Sequence, residues 1–163
     1  MNKSQTINVF FCGTGGQGVL TAAEILGQAA LLEGYHVKKS EVHGMAQRGG
    51  SVESHLRFGK TVYSPLIPQG GADFLVSFHK DESTRLKEIL RPGGEDLTGY
   101  IDKGAHLEQG AKYLNTYLLG VLSERLPIKE NNWLKALEAA FKNKNLKENI
   151  AVFQKARKEV RLS

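Results

Sequence analysis

The strongest chemical signal in the sequence is a glycine-rich loop between a strand-like run and a helix-like run. It reads Gly13-Thr14-Gly15-Gly16-Gln17-Gly18 and precedes the helix formers that begin at Val19. Such a loop allows a tight exit from the strand, a close approach of backbone to a ligand and close helix–sheet packing. Exposed N–H groups at the start of a helix favour an anion. The predicted cofactor-binding residues here are Gly13, Gly15, Gly16, Gln17 and Gly18. A tight turn that binds nothing is the structural alternative.

Two neighbouring features bear on which ligand the loop could hold. Glu41 lies near the end of the predicted second strand, where a dinucleotide-binding protein places an acid for the ribose. Gly18 is followed by Val19-Leu20-Thr21 and by no P-loop lysine, so an NTPase is not expected. A free-standing protein that binds NAD(P) or FAD is therefore one hypothesis for this chain.

A second polar segment, residues 43–51, follows that predicted strand. It reads His43-Gly44-Met45-Ala46-Gln47-Arg48-Gly49-Gly50-Ser51. Loops after the carboxyl ends of strands line the crevice of an open α/β sheet, so this segment should face the glycine loop. Arg48 could give a bidentate contact to phosphate or carboxylate, and His43 could act as an acid–base group. The binding residues predicted in this segment are Gln47, Arg48, Gly49 and Gly50. A salt bridge or subunit contact for Arg48 and a plain loop role for His43 are the alternatives.

Other reactive centres are not expected. His55 and His79 do not form a metal-ligand spacing with His43, so no metal is predicted. Cys12 is the only cysteine, which excludes an internal disulfide and an iron–sulfur cluster held by this chain alone. Its place at the end of an apolar strand favours a buried, inert thiol.

Hydrophobic periodicity places both segments in an alternating pattern of strands and helices. The apolar run 7–12 predicts a buried strand, residues 19–32 a helix that ends at Gly34, and Tyr35 the start of a second strand. Strand, glycine turn, helix and strand in this order are typical of the βαβ unit of a parallel sheet.

The later part of the chain predicts a hairpin, one more strand and several helices. Residues 51–58 and 61–64 predict an inserted β-hairpin around Gly59-Lys60. Further predictions are a strand at 72–78, a helix at 81–90 with Arg91-Pro92-Gly93-Gly94 as its stop, and helices at 113–126, 133–141 and 146–160. Residues 95–112 show no clear periodicity. The expected fold is α/β, with a Rossmann-like, mostly parallel sheet, an inserted β-hairpin and a helical C-terminal part.

Composition sets the class of protein. With 163 residues, 40% of them hydrophobic and 24% charged, a single domain over 1–163 is expected. The net charge of +5 is moderate and mixed with acidic residues, which favours a solvated surface over nucleic-acid binding and leaves an acidic partner or an anionic ligand as an alternative. No apolar run could cross a bilayer and the N-terminal residues lack a signal-peptide core, so a cytoplasmic location without membrane contact is expected.

These segments together resemble the gamma subunit or domain of pyruvate/2-ketoisovalerate:ferredoxin oxidoreductases, and within that family the small subunits of indolepyruvate oxidoreductases. The resemblance is carried by residues 13–19, by 41–52, by Pro65 and by Ala72-Asp73, and it resumes at 114–123. One departure is that the stretch 95–113 is shorter than the family's further strand and connecting segment.

The resemblance implies a reaction that this chain would not carry out alone. The family decarboxylates a 2-oxoacid oxidatively to its acyl-CoA and passes the electrons to ferredoxin. Thiamine diphosphate and the iron–sulfur clusters would belong to a large catalytic partner subunit, and the complex would use coenzyme A. This chain would then be an accessory oxidoreductase subunit that holds no cofactor by itself. A purely structural assembly subunit is the remaining alternative.

Overall fold

The computed structural model describes residues 5–44 and 49–163, which form a mixed sheet with helices on both faces. The strands of the described residues are β1 Ile7–Thr14, β2 His36–His43, β3 Ser51–Gly59, β4 Ala72–Ser77 and β5 Leu90–Asp96. The helices are α1 Val19–Glu33, α2 Lys80–Leu86, α3 Ile101–Ala105, α4 Leu114–Ser123, α5 Glu130–Phe141 and α6 Leu146–Leu162. Three short 3₁₀ turns occupy Lys87–Ile89, Leu97–Tyr100 and Ala111–Tyr113.

The strands lie in the order β2-β3-β1-β4-β5. β4 is parallel to β1 and to β5, whereas β3 is antiparallel to both β1 and β2. Among the described strands, four therefore run in one direction and β3 runs against them, which confirms the predicted α/β class with a mostly parallel sheet. The predicted β1-α1-β2 unit is also present, but β3 lies between its two strands.

The predicted hairpin of residues 51–58 and 61–64 is wrong. β3 forms a hairpin with the preceding strand β2 and pairs with β1 on its other side, while residues 61–64 are in no strand. Side chains satisfy the backbone of this segment instead: Val62 N–H donates to Nδ1 of His36 at 3.1 Å, and Arg57 donates to the Ser64 carbonyl at 2.9 Å. A β-rich tetrapeptide can thus stay irregular when neighbouring side chains take its hydrogen bonds.

The predicted stop at Arg91-Pro92-Gly93-Gly94 is wrong as well, because these residues lie inside β5. β5 is an edge strand, where proline is tolerated. Ala72 of β4 pairs with Leu90 of β5, and Phe74 pairs with Glu95, so the register shifts between these two pairs. The extra residues of β5 in this irregularity include the Pro-Gly-Gly residues. Within 95–112, which showed no periodicity, lie α3 and a 3₁₀ turn. The three predicted C-terminal helices are confirmed as α4, α5 and α6 with shifted ends.

The larger core lies on the face of the sheet covered by α1, α4, α5 and α6. Trp133, Tyr117 and Phe153 are fully buried there, and full burial of each such side chain stabilises the fold by roughly 1.5–3 kcal/mol. A smaller cluster around Phe10 and Leu75 fills the opposite face, next to α2. The described helices include none that is long and apolar enough to span a membrane.

Candidate functional site

The glycine loop and the segment after β2 meet at the carboxyl end of β1. Gly15 N–H donates to the Gly50 carbonyl at 2.9 Å, and Gly44 N–H donates to the Ser51 carbonyl at 2.6 Å. A Cβ added at Gly15 would lie 3.5 Å from the backbone nitrogen of Gly49. The expected convergence of the two segments is therefore present for Gly49 and Gly50. Gln47 and Arg48 lie outside the described residues, and their role stays a prediction.

A recess of about 440 Å³ opens beside this junction. Its lining consists of Thr14, Gly15, Gly16, Gly18, Val19, Leu20, Thr21, His43 and Val52. The glycine loop and the first turn of α1 form one wall, and the facing ends of β2 and β3 supply His43 and Val52. His43 thus lies at the predicted place, on the rim of the crevice, where its side chain is 58% exposed.

The start of α1 presents backbone donors. Gly16 and Gly18 adopt φ values of 89° and 82°, which side-chain-bearing residues rarely take. Gly18 is the N-cap residue, so no side chain caps the helix, and the first turn of α1 holds no acidic residue. The first N–H groups of a helix have no partner within it, and the helix dipole adds partial positive charge there. This end of α1 therefore favours an anion.

Two of the predicted binding residues have structural duties in the loop. The Gln17 side-chain oxygen accepts from Thr14 N–H at 2.8 Å, and its Nε2 donates to the Phe78 carbonyl at 2.9 Å. A Cβ at Gly13 would lie 2.9 Å from Cγ2 of Val19, so Gly13 is needed for close packing of α1 on the sheet. The geometry explains both residues as positioning residues for the loop.

Glu41 does not reach the recess. It is exposed, pairs with Lys39 at 3.0 Å and lies 4.0 Å from His43. Because β3 separates β2 from β1, the two strands are about 9–10 Å apart, whereas a dinucleotide-binding sheet places them side by side. The ribose-binding role considered for Glu41 gains no support from this arrangement.

Cys12 is fully buried next to the glycine loop. Burial raises the pKa of its thiol to about 12, although a hydrogen bond with Ser77 acts in the opposite direction. The thiol is therefore neutral and poorly nucleophilic near neutral pH, as predicted. The described part of the chain contains no group of three potential metal ligands.

Sequence reasoning missed an ionic network at the same edge of the sheet. Arg85 Nη2 lies 2.8 Å from Ser51 Oγ, 2.9 Å from Glu53 and 2.8 Å from Glu82. The hydrogen bond from Arg85 is the main cause that lowers the pKa of Glu82. Two carboxylates already balance this guanidinium, so it fixes α2 and β3 beside the recess and is a poor anion ligand. Only the Glu82–Arg85 pair has a local helical spacing, i,i+3, whereas the contacts of Arg85 with Ser51 and Glu53 join distant parts of the chain, which no local pattern signals.

The family model of pyruvate ferredoxin/flavodoxin oxidoreductase matches residues 8–159. The chain belongs to this family. Subunit IorB of the indolepyruvate oxidoreductase of Thermococcus kodakarensis is 51% identical over 87 residues, which are 53% of this chain and 43% of that protein. The matched stretch is thus less than half the length of that curated relative.

Two solved structures share the fold of this chain. A 2-oxoglutarate:ferredoxin oxidoreductase from Magnetococcus marinus, with 2-oxoglutarate, coenzyme A and succinyl-CoA bound, superposes with a TM-score of 0.83 at 20% identity, over 98% of this chain and 32% of that chain. The gamma subunit of a keto/oxoacid ferredoxin oxidoreductase from Geobacter sulfurreducens gives a TM-score of 0.76 at 18% identity, over 96% of this chain and 99% of that chain. At these identities the likeness establishes the fold alone.

Proposed function

We propose that this chain is the small subunit of a 2-oxoacid:ferredoxin oxidoreductase, with indolepyruvate as the 2-oxoacid. The complex decarboxylates the 2-oxoacid oxidatively to acyl-CoA, and the electrons pass to ferredoxin. The chain is not active alone. Family membership supports the proposal, and so does the relative whose name specifies indolepyruvate.

The redox cofactors belong to a large partner subunit in this proposal. Thiamine diphosphate supplies the decarboxylation chemistry there, and iron–sulfur clusters carry the electrons. Clusters of this kind need about four thiolates, whereas this chain has one cysteine, and its thiol is buried with a raised pKa. The ligand set for a cluster therefore has to come from elsewhere in the complex.

In this proposal the chain contributes the recess beside the glycine loop to the complex. The recess is the structural observation on which the proposal mainly depends. Its backbone donors and uncapped helix start suit one anionic group of coenzyme A, or another phosphate at the interface with the partner. In the complex the recess would close over the active site of the large subunit and orient that ligand. Gln17 and Gly13 hold the loop in the shape that this requires.

Two matched glycine variants test the role of the recess. Gly16 and Gly34 both have positive φ, 89° and 97°, and a Cβ at either position meets nothing within 4 Å. Gly16→Ala and Gly34→Ala should each cost about 1–2 kcal/mol of stability from the left-handed backbone. Only Gly16 lines the recess. We expect the reconstituted complex with Gly16→Ala to reduce ferredoxin at least about tenfold more slowly, or to need more coenzyme A, because the ligand loses its reactive geometry.

The Gly34→Ala complex should keep the wild-type rate and coenzyme A dependence. Equal rates for both variants at equal assembly would contradict a role of the recess in the chemistry. If Gly16→Ala instead weakens association with the large subunit, and the complexes that form react normally, the chain is an assembly subunit.

The dinucleotide-binding alternative has a separate test. Titration of the isolated chain with NAD, NADP and FAD should show no saturable binding, since Glu41 lies outside the recess lining. Saturable binding of any of the three would favour that alternative.

A further inference from the structure

Asn115, on α4, lies directly against the start of α1. It is only 7% exposed. A Cβ built on Gly18 would lie 2.5 Å from the Nδ2 atom of Asn115, closer than to any other atom of that side chain. The amide nitrogen of a buried polar residue is thus aimed at the N-cap of α1, the end that presents the backbone donors.

The orientation of the amide is fixed by a backbone group. Thr116 N–H lies 2.9 Å from the side-chain oxygen of Asn115, and a backbone N–H can only donate. The Thr116 hydroxyl donates to Oδ1 of Asn149 at 2.6 Å and makes a longer contact of 3.5 Å with the same Asn115 oxygen. The oxygen of the Asn115 amide therefore faces Thr116, and the NH₂ group faces Gly18.

This NH₂ group has no hydrogen-bond acceptor among the residues that the structure describes. The Asn115 residue as a whole is mostly buried, but its amide nitrogen is not one of the fully buried side-chain atoms that lack a partner, so a ligand can reach it. The neighbouring groups at the start of α1 are donors too, and no acidic residue occupies its first turn. Several donors at one place suit a ligand that only accepts hydrogen bonds, and an oxyanion has this property.

We propose that Asn115 is a ligand-binding residue, whose Nδ2 joins the backbone N–H groups at the start of α1 in binding one oxyanion, a phosphate or a carboxylate. The inference rests on the proposed function in that it adds a residue to the same glycine-loop site. It also explains why α4, far along the chain, packs against Gly18 through a polar side chain.

Asn115→Asp tests the proposal with almost no change in shape. The variant keeps an oxygen for Thr116 N–H and replaces the NH₂ donor with a carboxylate oxygen. A carboxylate near the start of a helix is favourable, so the variant should fold and melt no lower than wild type. Asn143→Asp is the matched control, because it makes the same change of charge at an exposed position beyond α5.

The measurement is an NMR titration of the full chain with inorganic phosphate and, separately, with pyruvate. We expect saturable shifts at the amides of Gly18 and Val19 and at the Asn115 side chain. Loss of a donor to a charged group, with a like charge in its place, should weaken binding at least about tenfold in Asn115→Asp. Asn143→Asp should bind as wild type does. Response to phosphate alone would identify a phosphate ligand, and a stronger response to pyruvate would identify a carboxylate.

The proposal is overturned if neither anion shifts these signals in the wild-type chain, or if Asn115→Asp binds as tightly as wild type. Either result is distinct from failure of the proposed function. The titration needs no partner subunit, so Asn115-dependent binding could persist even if the Gly16→Ala complex reduced ferredoxin normally. In that case the anion site at Asn115 would be supported, and the role of the recess in ferredoxin reduction would be rejected.

Discussion

Two irregular segments that follow strands differ in which groups serve as hydrogen-bond partners for their backbones. The connection 60–71, between β3 and β4, is held by side chains of the sheet. These side chains are His36, His55 and Arg57, and their backbone partners are Val62, Ile67, Ser64 and Leu66. The glycine loop 13–18 is held by its own backbone, by Gln17 and by one bond to Gly50, and the helix start that follows it has no side-chain cap.

The difference shows how the same fold separates stability from binding. In the 60–71 connection, side chains of the strands take up several of the backbone hydrogen bonds. Where glycines replace those side chains, the donors at the start of α1 stay open to the recess. Changes in the 60–71 connection should therefore alter the free energy of unfolding, and changes in the glycine loop should alter anion binding more than stability.

Arg57→Ala should produce the largest change in stability. Its Nε donates to Asn8 at 2.8 Å, and its Nη1 donates to the Ser64 and Leu66 carbonyls at 2.9 and 3.2 Å. Loss of these bonds should lower the free energy of unfolding by about 2–3 kcal/mol, since hydrogen bonds to charged groups contribute more than neutral ones. Urea denaturation measures the loss, and phosphate affinity should not change.

Lys60→Ala is the control for Arg57→Ala, because it removes an exposed positive charge at the start of the same connection. Its effect should stay within about 0.5 kcal/mol. A weaker phosphate affinity in Arg57→Ala would contradict the separation of stability from binding, because it would show that the 60–71 connection influences the recess.

Gln17→Ala should lower the free energy of unfolding less than Arg57→Ala does, but it should weaken phosphate binding more. The variant loses the bond from Thr14 N–H and the bond to the Phe78 carbonyl, at about 1–2 kcal/mol together. Because these bonds set the shape of the glycine loop, phosphate affinity should fall several-fold in the same NMR titration. Gln28→Ala, an exposed glutamine on α1, should change neither quantity. Full phosphate affinity in Gln17→Ala would show that the loop holds its shape without this clamp.

The sequence was informative where the signal is local. The glycine loop predicts its own position, because only glycines supply the positive φ of Gly16 and Gly18 between a strand and a helix. The helices α4, α5 and α6 follow from apolar residues at helical spacing. The family resemblance adds order and spacing over several segments, and the match over residues 8–159 bears it out.

The misses concern pairing between distant segments. The insertion of β3 between β1 and β2 depends on partners far apart in sequence, which no local period encodes. β5 was predicted as a helix stop, because Pro-Gly-Gly is typical of one and an edge strand tolerates it. Asn115 could have been singled out only as one of the few polar residues of a mostly apolar helix. Its contact with Gly18 required the fold.

The smallest effect should be the pH dependence of the stability that the 60–71 connection contributes. Burial lowers the pKa of His55, although Glu53 acts in the opposite direction, and Nδ1 accepts from Ile67 N–H at 3.1 Å in the neutral ring. The unfolded chain takes up the proton near pH 6.5, and the folded chain takes it up only at lower pH. The stabilisation is therefore complete above about pH 6.5 and is lost as the pH falls from there through the folded-state pKa.

His55→Asn isolates this contribution, because the asparagine oxygen can replace Nδ1 as the acceptor for Ile67. At pH 8 the variant should lose only its edge contact with Phe10, whose ring centroid lies 4.9 Å from that of His55. That contact contributes about 0.5–1.5 kcal/mol. Between pH 7 and 5 its melting temperature should fall less steeply than that of wild type, as measured by circular dichroism. Parallel curves for the two proteins would show that His55 is not the source of the pH dependence. The hydrogen bonds of the 60–71 connection would then not depend on the charge of the strand side chains.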